Sequence, residues 1–121
     1  MSNMPDPIYT KDLLPERFAY PSAFLEWIKT PEASSVYPWT LINTKGEVGH
    51  LLYSLRKSDG RNLVPFASLE TGDGDVACFD GGNQSGDPAV LMLVLDGSGR
   101  SYSYPNFSAW LKTAREESKK W

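Results

Sequence analysis

The chain has 121 residues, 40% hydrophobic and 22% charged, with a formal net charge of −3, the composition of one folded domain with its own core. Its single cysteine, Cys78, excludes an internal disulfide, and one cysteine with one histidine, His50, is too few for a zinc site. The N-terminal residues lack the basic start and apolar run of a signal peptide, and the longest apolar stretch, Ala89–Leu95, is too short to span a bilayer, so a cytoplasmic location is expected.

In chain order, residues 1–14 are polar and proline-containing and read as a loose arm. A short helix around Leu13–Phe18 is one option. Pro21–Lys29 predicts a helix: proline suits its first turn, Phe24, Leu25 and Ile28 share a face that Trp27 widens, and Thr30-Pro31 ends it. Trp39–Asn43 reads as a strand. His50–Leu55 alternates, with Leu51, Tyr53 and Leu55 on one side and His50 and Ser54 on the other, which predicts another. Ser58-Asp59-Gly60 turns the chain into an apolar run at Leu63, Val64 and Phe66.

A polar connection carrying Gly72, Asp73, Gly74 and Asp75 links that run to Val76–Phe79, the pattern of two adjacent antiparallel strands. Ala89–Leu95 is apolar on both faces and predicts a central strand; Ser101–Tyr104 predicts a short last one. Asn106 is a good N-cap for a closing helix whose apolar stripe is Phe107, Trp110, Leu111 and Ala114. The order implies a single α+β domain: a largely antiparallel or mixed sheet of five to six strands packed by N- and C-terminal helices.

Catalytic chemistry has little to work with. A nucleophile–base pair would have to use His50 and Cys78, but Cys78 lies mid-strand without a nearby basic residue to lower its pKa. Asp73-Gly74-Asp75 opens like a calcium loop, yet Ala77 and Cys78 stand where a ligand and a glycine are needed. Gly97-Ser98-Gly99 is a turn without a phosphate-binding fingerprint. No catalytic residue, metal site or cofactor is expected. Trp39, Phe107 and Trp110 read as core, whereas Tyr37, Tyr102, Tyr104 and Trp121 could form a contact surface.

Charge is unevenly spread. Between Asn62 and Gly99 there are six acids and no lysine or arginine. Such a block disfavours phosphate backbones and favours basic protein surfaces, so nucleic acid is not an expected partner.

In the second half of the chain, Val64-Pro65-Phe66-Ala67, Gly72-Asp73-Gly74-Asp75, Cys78-Phe79-Asp80, Pro88-Ala89-Val90, Leu95-Asp96 and Asn106-Phe107-Ser108-Ala109-Trp110-Leu111 follow one another in order. This ordered set resembles the SUKH superfamily, which contains fungal cell-wall assembly regulators and many bacterial immunity proteins. The first half matches poorly. The resemblance implies an α+β fold with a mixed sheet and a non-catalytic immunity protein that neutralises a cognate toxin domain, commonly a nuclease or deaminase. The alternative is an intracellular interaction or regulatory module of the same superfamily without a toxin partner. Because contact residues in that superfamily vary with the toxin, none transfers by motif. On charge grounds, Glu70, Asp75, Asp80 and Asp87, expected in loops at one edge of the sheet, are the candidate partner-binding residues; the competing reading is that these acids serve solubility.

Overall fold

Residues 8–9, 14, 18–34, 39–47, 49–51, 54, 63–69, 75–82, 86–94 and 102–120 are described by the computed structural model of the chain. The apolar runs of the central region are strands of one sheet: β1 (Trp39–Leu41), β2 (Leu63–Leu69), β3 (Val76–Asp80), β4 (Val90–Leu93) and β5 (Ser103–Tyr104). They pair in the order β1-β2-β3-β4-β5, every pair antiparallel. The sheet is therefore a meander, and the α+β reading holds with five strands.

The register of β2 on β3 explains a proline in an interior strand. Pro65 faces Cys78 and Ala67 faces Ala77, so Phe66 is the extra residue of a bulge. Proline has no N–H to give to a ladder and is tolerated where the ladder is interrupted. The bulge also lets Phe66 and Ala67 both belong to the helix-side core, where strict alternation would have sent one of them away.

That core lies between the sheet and two helices, α1 (Ser22–Trp27) and α2 (Phe107–Ser118). Pro21 enters α1 with an extended backbone, and its carbonyl accepts the N–H groups of Phe24 and Leu25. The helix stops at Trp27, whose carbonyl takes both the hydroxyl and the N–H of Thr30, and a 3-10 turn, Pro31–Ser34, follows. Phe24 and Trp27 are the buried residues of α1, so Trp27 is central to its inner face while Leu25 and Ile28 are half-buried. Asn106 caps α2 as expected, its side-chain oxygen accepting the Ala109 N–H at 2.9 Å. The four residues of the expected apolar stripe are the buried residues of the helix.

Aromatic rings fill the middle. Phe66 stacks on Phe79 with centroids 4.3 Å apart and meets Trp110 edge-on at 4.9 Å. Phe24 lies edge-on to Phe66, Phe79 and Phe107. The buried indole N–H groups of Trp39 and Trp110 find no hydrogen-bond partner among the described residues, a cost the core carries for packing two large rings. On the opposite face of the sheet, Ile42, Leu63, Val76, Cys78 and Leu93 form a second buried cluster, so the sheet is apolar on both sides as the β4 run predicted.

Two expectations for the first half of the chain are corrected. The strand expected over His50–Leu55 is not formed at its described residues: Glu47, Gly49, His50, Leu51 and Ser54 are helical, the His50 N–H bonding to the Gly46 carbonyl and the Ser54 hydroxyl to the His50 carbonyl. Leu51 is 61% exposed, which rules out the inward face that the alternation implied. Nor is the N-terminal segment loose at residues 8–9. Tyr9 is buried, its hydroxyl donates to the Gly49 carbonyl at 2.8 Å, and its N–H donates to the Tyr20 hydroxyl at 3.0 Å. The Thr44 hydroxyl holds the Ile8 carbonyl. Most of the optional Leu13–Phe18 helix falls outside the described residues.

Candidate functional site

In an antiparallel meander, successive connections fall at alternate ends of the sheet, and this separates the candidate acids. Asp75 precedes β3 at the β2–β3 end, where its carbonyl accepts the Leu69 N–H. Asp80 closes β3 at the other end, roughly 15 Å away for a five-residue strand. Asp87 lies beside Asp80's end, in the connection to β4. Glu70 lies outside the described residues.

The acids also differ in exposure. Asp75 is 3% exposed and accepts a hydrogen bond from the Tyr102 hydroxyl through its Oδ2. A carboxylate buried this deeply requires such donors, and it cannot meet a partner's surface. The expected single edge with Asp75 on it is thereby corrected. Asp80 is half-buried, with Oδ1 accepting the Gly82 N–H at 3.0 Å. Asp87 is exposed, and its Oδ2 receives a 3.4 Å contact from the Asn106 amide, the same residue that caps α2. The structure therefore brings Asp80 and Asp87 together with the N-terminus of α2 and leaves Asp75 inside.

The tyrosines are tied to this buried acid. Tyr102 and Tyr104 make an edge-on pair at 6.2 Å, both half-buried. Burial pushes the Tyr104 hydroxyl above its ordinary value of 10.0, helped by the negative charges of Glu117 and Asp75, so it stays protonated. Tyr37 and Trp121 fall outside the described residues. Cys78 is fully buried on the sheet face away from the helices, with its thiol near the Val76 carbonyl, whereas His50 is exposed. Among the described residues, no three histidine, cysteine, aspartate or glutamate side chains are grouped to hold a metal, and no helix is long and apolar enough to cross a membrane.

A feature that sequence reading missed lies between the helices. Glu32, in the 3-10 turn, accepts two bonds from Arg115 of α2, Nη2 to Oε1 at 2.7 Å and Nε to Oε2 at 2.9 Å. Its Oε1 also takes the Trp27 indole N–H at 2.9 Å. The pair forms part of the lining of an open groove of about 430 Å³, together with Ala23, Glu26, Trp27, Thr30, Pro31 and Leu111. No local pattern announces a contact spanning 83 residues; only the helix stripe that carries Leu111 hinted at a neighbour.

The Arg115 hydrogen bonds hold the Glu32 carboxyl below its ordinary value of 4.5, although slight burial opposes them. A depressed folded-state pKa contributes stability that is complete above 4.5 and disappears as pH falls through the folded value. The pair is solvent-exposed, so the effect is small and salt-sensitive. Thermal melts of the wild type and Glu32→Gln are expected to differ at pH 7 and to converge below the glutamate range. An unchanged gap at low pH would show that the ion pair is not its source.

No family model, no curated protein and no solved structure matches the chain.

Proposed function

We propose that this protein is a non-catalytic immunity protein of the SUKH type, which binds a basic toxin domain, a nuclease or deaminase, and blocks it. The observation that carries this reading is the location of Asp80 and Asp87 at the same end of the sheet, inside a stretch of chain with six acids and no lysine or arginine. An enzyme that grips nucleic acid presents a cationic cleft, and an acidic inhibitor gains both encounter rate and correct orientation from the opposite field. Both carboxylates are anchored, Asp80 by its own turn and Asp87 by Asn106. A partner therefore meets charge whose ordering cost is already reduced.

The test is co-expression with the toxin domain encoded beside this chain, scored by survival, followed by binding measurements across salt concentrations. Rescue and a one-to-one complex are expected. Asparagine is the informative replacement, since it removes the charge and retains an oxygen for the Gly82 N–H. Asp80→Asn with Asp87→Asn is expected to slow association and weaken binding roughly two- to tenfold at low salt, with the difference shrinking as salt rises. Affinity indifferent to both salt and the double variant removes the acidic surface from the reading.

A further inference from the structure

The groove between α1 and α2 is separate from the acidic end of the sheet, and its lining has a definite chemistry. Its apolar lining is Ala23, Trp27, Pro31 and Leu111. Its charged side chains are two carboxylates, Glu26 and Glu32, against one guanidinium, Arg115. Arg115 is committed to Glu32 through two bonds, so the one cation of the lining is already neutralised. Glu26 is exposed and enters no ion pair among the described residues, which leaves the lining with one net negative charge beside its apolar groups.

We propose that this groove seats a long basic side chain, lysine or arginine, of the protein partner. Its methylenes lie along Trp27, Pro31 and Leu111, and its cationic head reaches Glu26. Such side chains bury their stems against apolar surface and keep the charge in water, and the groove offers both parts. An anionic ligand finds no spare cation in the lining, and a purely apolar side chain leaves Glu26 unanswered. The walls are held before binding: the Glu32 carboxylate joins the Trp27 indole to the Arg115 guanidinium, so the 3-10 turn, α1 and α2 are linked through one group. Preorganisation of this kind lowers the ordering cost of binding. The inference deepens the proposed function and rests on its premise of a basic partner.

The experiment is a titration followed by amide and indole NMR shifts, using three blocked pentapeptides whose central residue is lysine, norleucine or glutamate between alanines. The lysine peptide is expected to move the Trp27 indole N–H and the Ala23 and Leu111 amides, the norleucine peptide to bind at least threefold more weakly, and the glutamate peptide to leave them unmoved. Glu26→Gln, an exposed change, is expected to bring the lysine peptide down to the norleucine level. Shifts confined to other residues, equal binding of norleucine and lysine, or an unchanged response in Glu26→Gln would each overturn the seat. Toxin rescue separates the two readings. Rescue without a groove response leaves the immunity reading standing and removes the seat; a groove response without rescue keeps the seat and removes the toxin.

Discussion

Phe66→Ala is expected to cost about 3–5 kcal/mol of stability, a midpoint lower by roughly 10–20 °C if the variant still folds. Phe66 has no exposed surface, and its ring meets four others: Phe79 at 4.3 Å, Trp110 at 4.9 Å, Phe24 at 5.5 Å and Phe107 at 5.9 Å. Those partners come from β3, α1 and α2, so the ring lies where the sheet and both helices meet. Truncation removes the transfer free energy of the side chain and leaves a void that rigid neighbouring rings fill poorly, which places the cost at the upper end of the range. Phe66→Leu keeps most of the volume and is expected to lose about half as much or less. Leu51→Ala, at a residue 61% exposed, is expected to change stability by less than about 0.5 kcal/mol. Urea melts of the three variants check the order. A Phe66→Ala protein as stable as Leu51→Ala would mean that the aromatic cluster does not join sheet to helices.

The parts of the fold that local chemistry specifies were the parts legible in the sequence. β2, β3 and β4 are short apolar runs bounded by glycine and aspartate, and α2 has both a cap at Asn106 and a stripe at helical spacing. In each case propensity, pattern and boundary agree. The 47–54 segment shows the opposite case. Leu51, Tyr53 and Leu55 alternate, but a run of six residues fits both periods, and Leu51 and Leu55 are also four apart. At the described residues the structure resolves the ambiguity as helix, and this stretch packs against residues 43–44 and receives the hydroxyl of Tyr9, 40 positions away and outside any local window.

For the candidate acids, composition was legible and geometry was not. The absence of lysine and arginine between Asn62 and Gly99 is a property of the sequence, and it singles out a stretch of chain without saying where its acids lie in space. It could not say that Asp75 turns inward, because the donor that makes burial tolerable is Tyr102, 27 residues later and without a charge to advertise it. Nor could it say that Asp80 and Asp87 share one end of the sheet, which follows only from the pairing order of the strands. The Glu32–Arg115 pair escaped for the same reason, since each residue alone reads as an ordinary surface charge.

Gly49→Ala is expected to be destabilising, by about 1–3 kcal/mol or more, although helix propensity alone predicts a gain of about 1 kcal/mol. Gly49 is buried within the helical stretch and is not among the glycines with positive φ, so backbone conformation is no obstacle to alanine. The obstacle is space. A Cβ there would stand 2.3 Å from the Asn43 carbonyl oxygen, 2.7 Å from the Thr44 Cα and 2.9 Å from the Thr44 carbonyl carbon, all backbone atoms that no rotamer change can clear. Relief requires moving the helical stretch off residues 43–44, and those residues are fixed in turn: Thr44 is buried and holds the Ile8 carbonyl, while Gly49 itself receives the Tyr9 hydroxyl. The displacement should therefore loosen the N-terminal segment as well. Two readouts separate this mechanism from general damage. The amide of Tyr9, bonded to the Tyr20 hydroxyl, is expected to exchange with solvent faster in the variant, by more than amides of β3 that depend on global unfolding. Gly46→Ala, whose Cβ would come no closer than 3.4 Å to Asn43, is expected to cost much less. A Gly49→Ala protein at least as stable as the wild type, with Tyr9 still protected, would show that the helical stretch does not pack against residues 43–44.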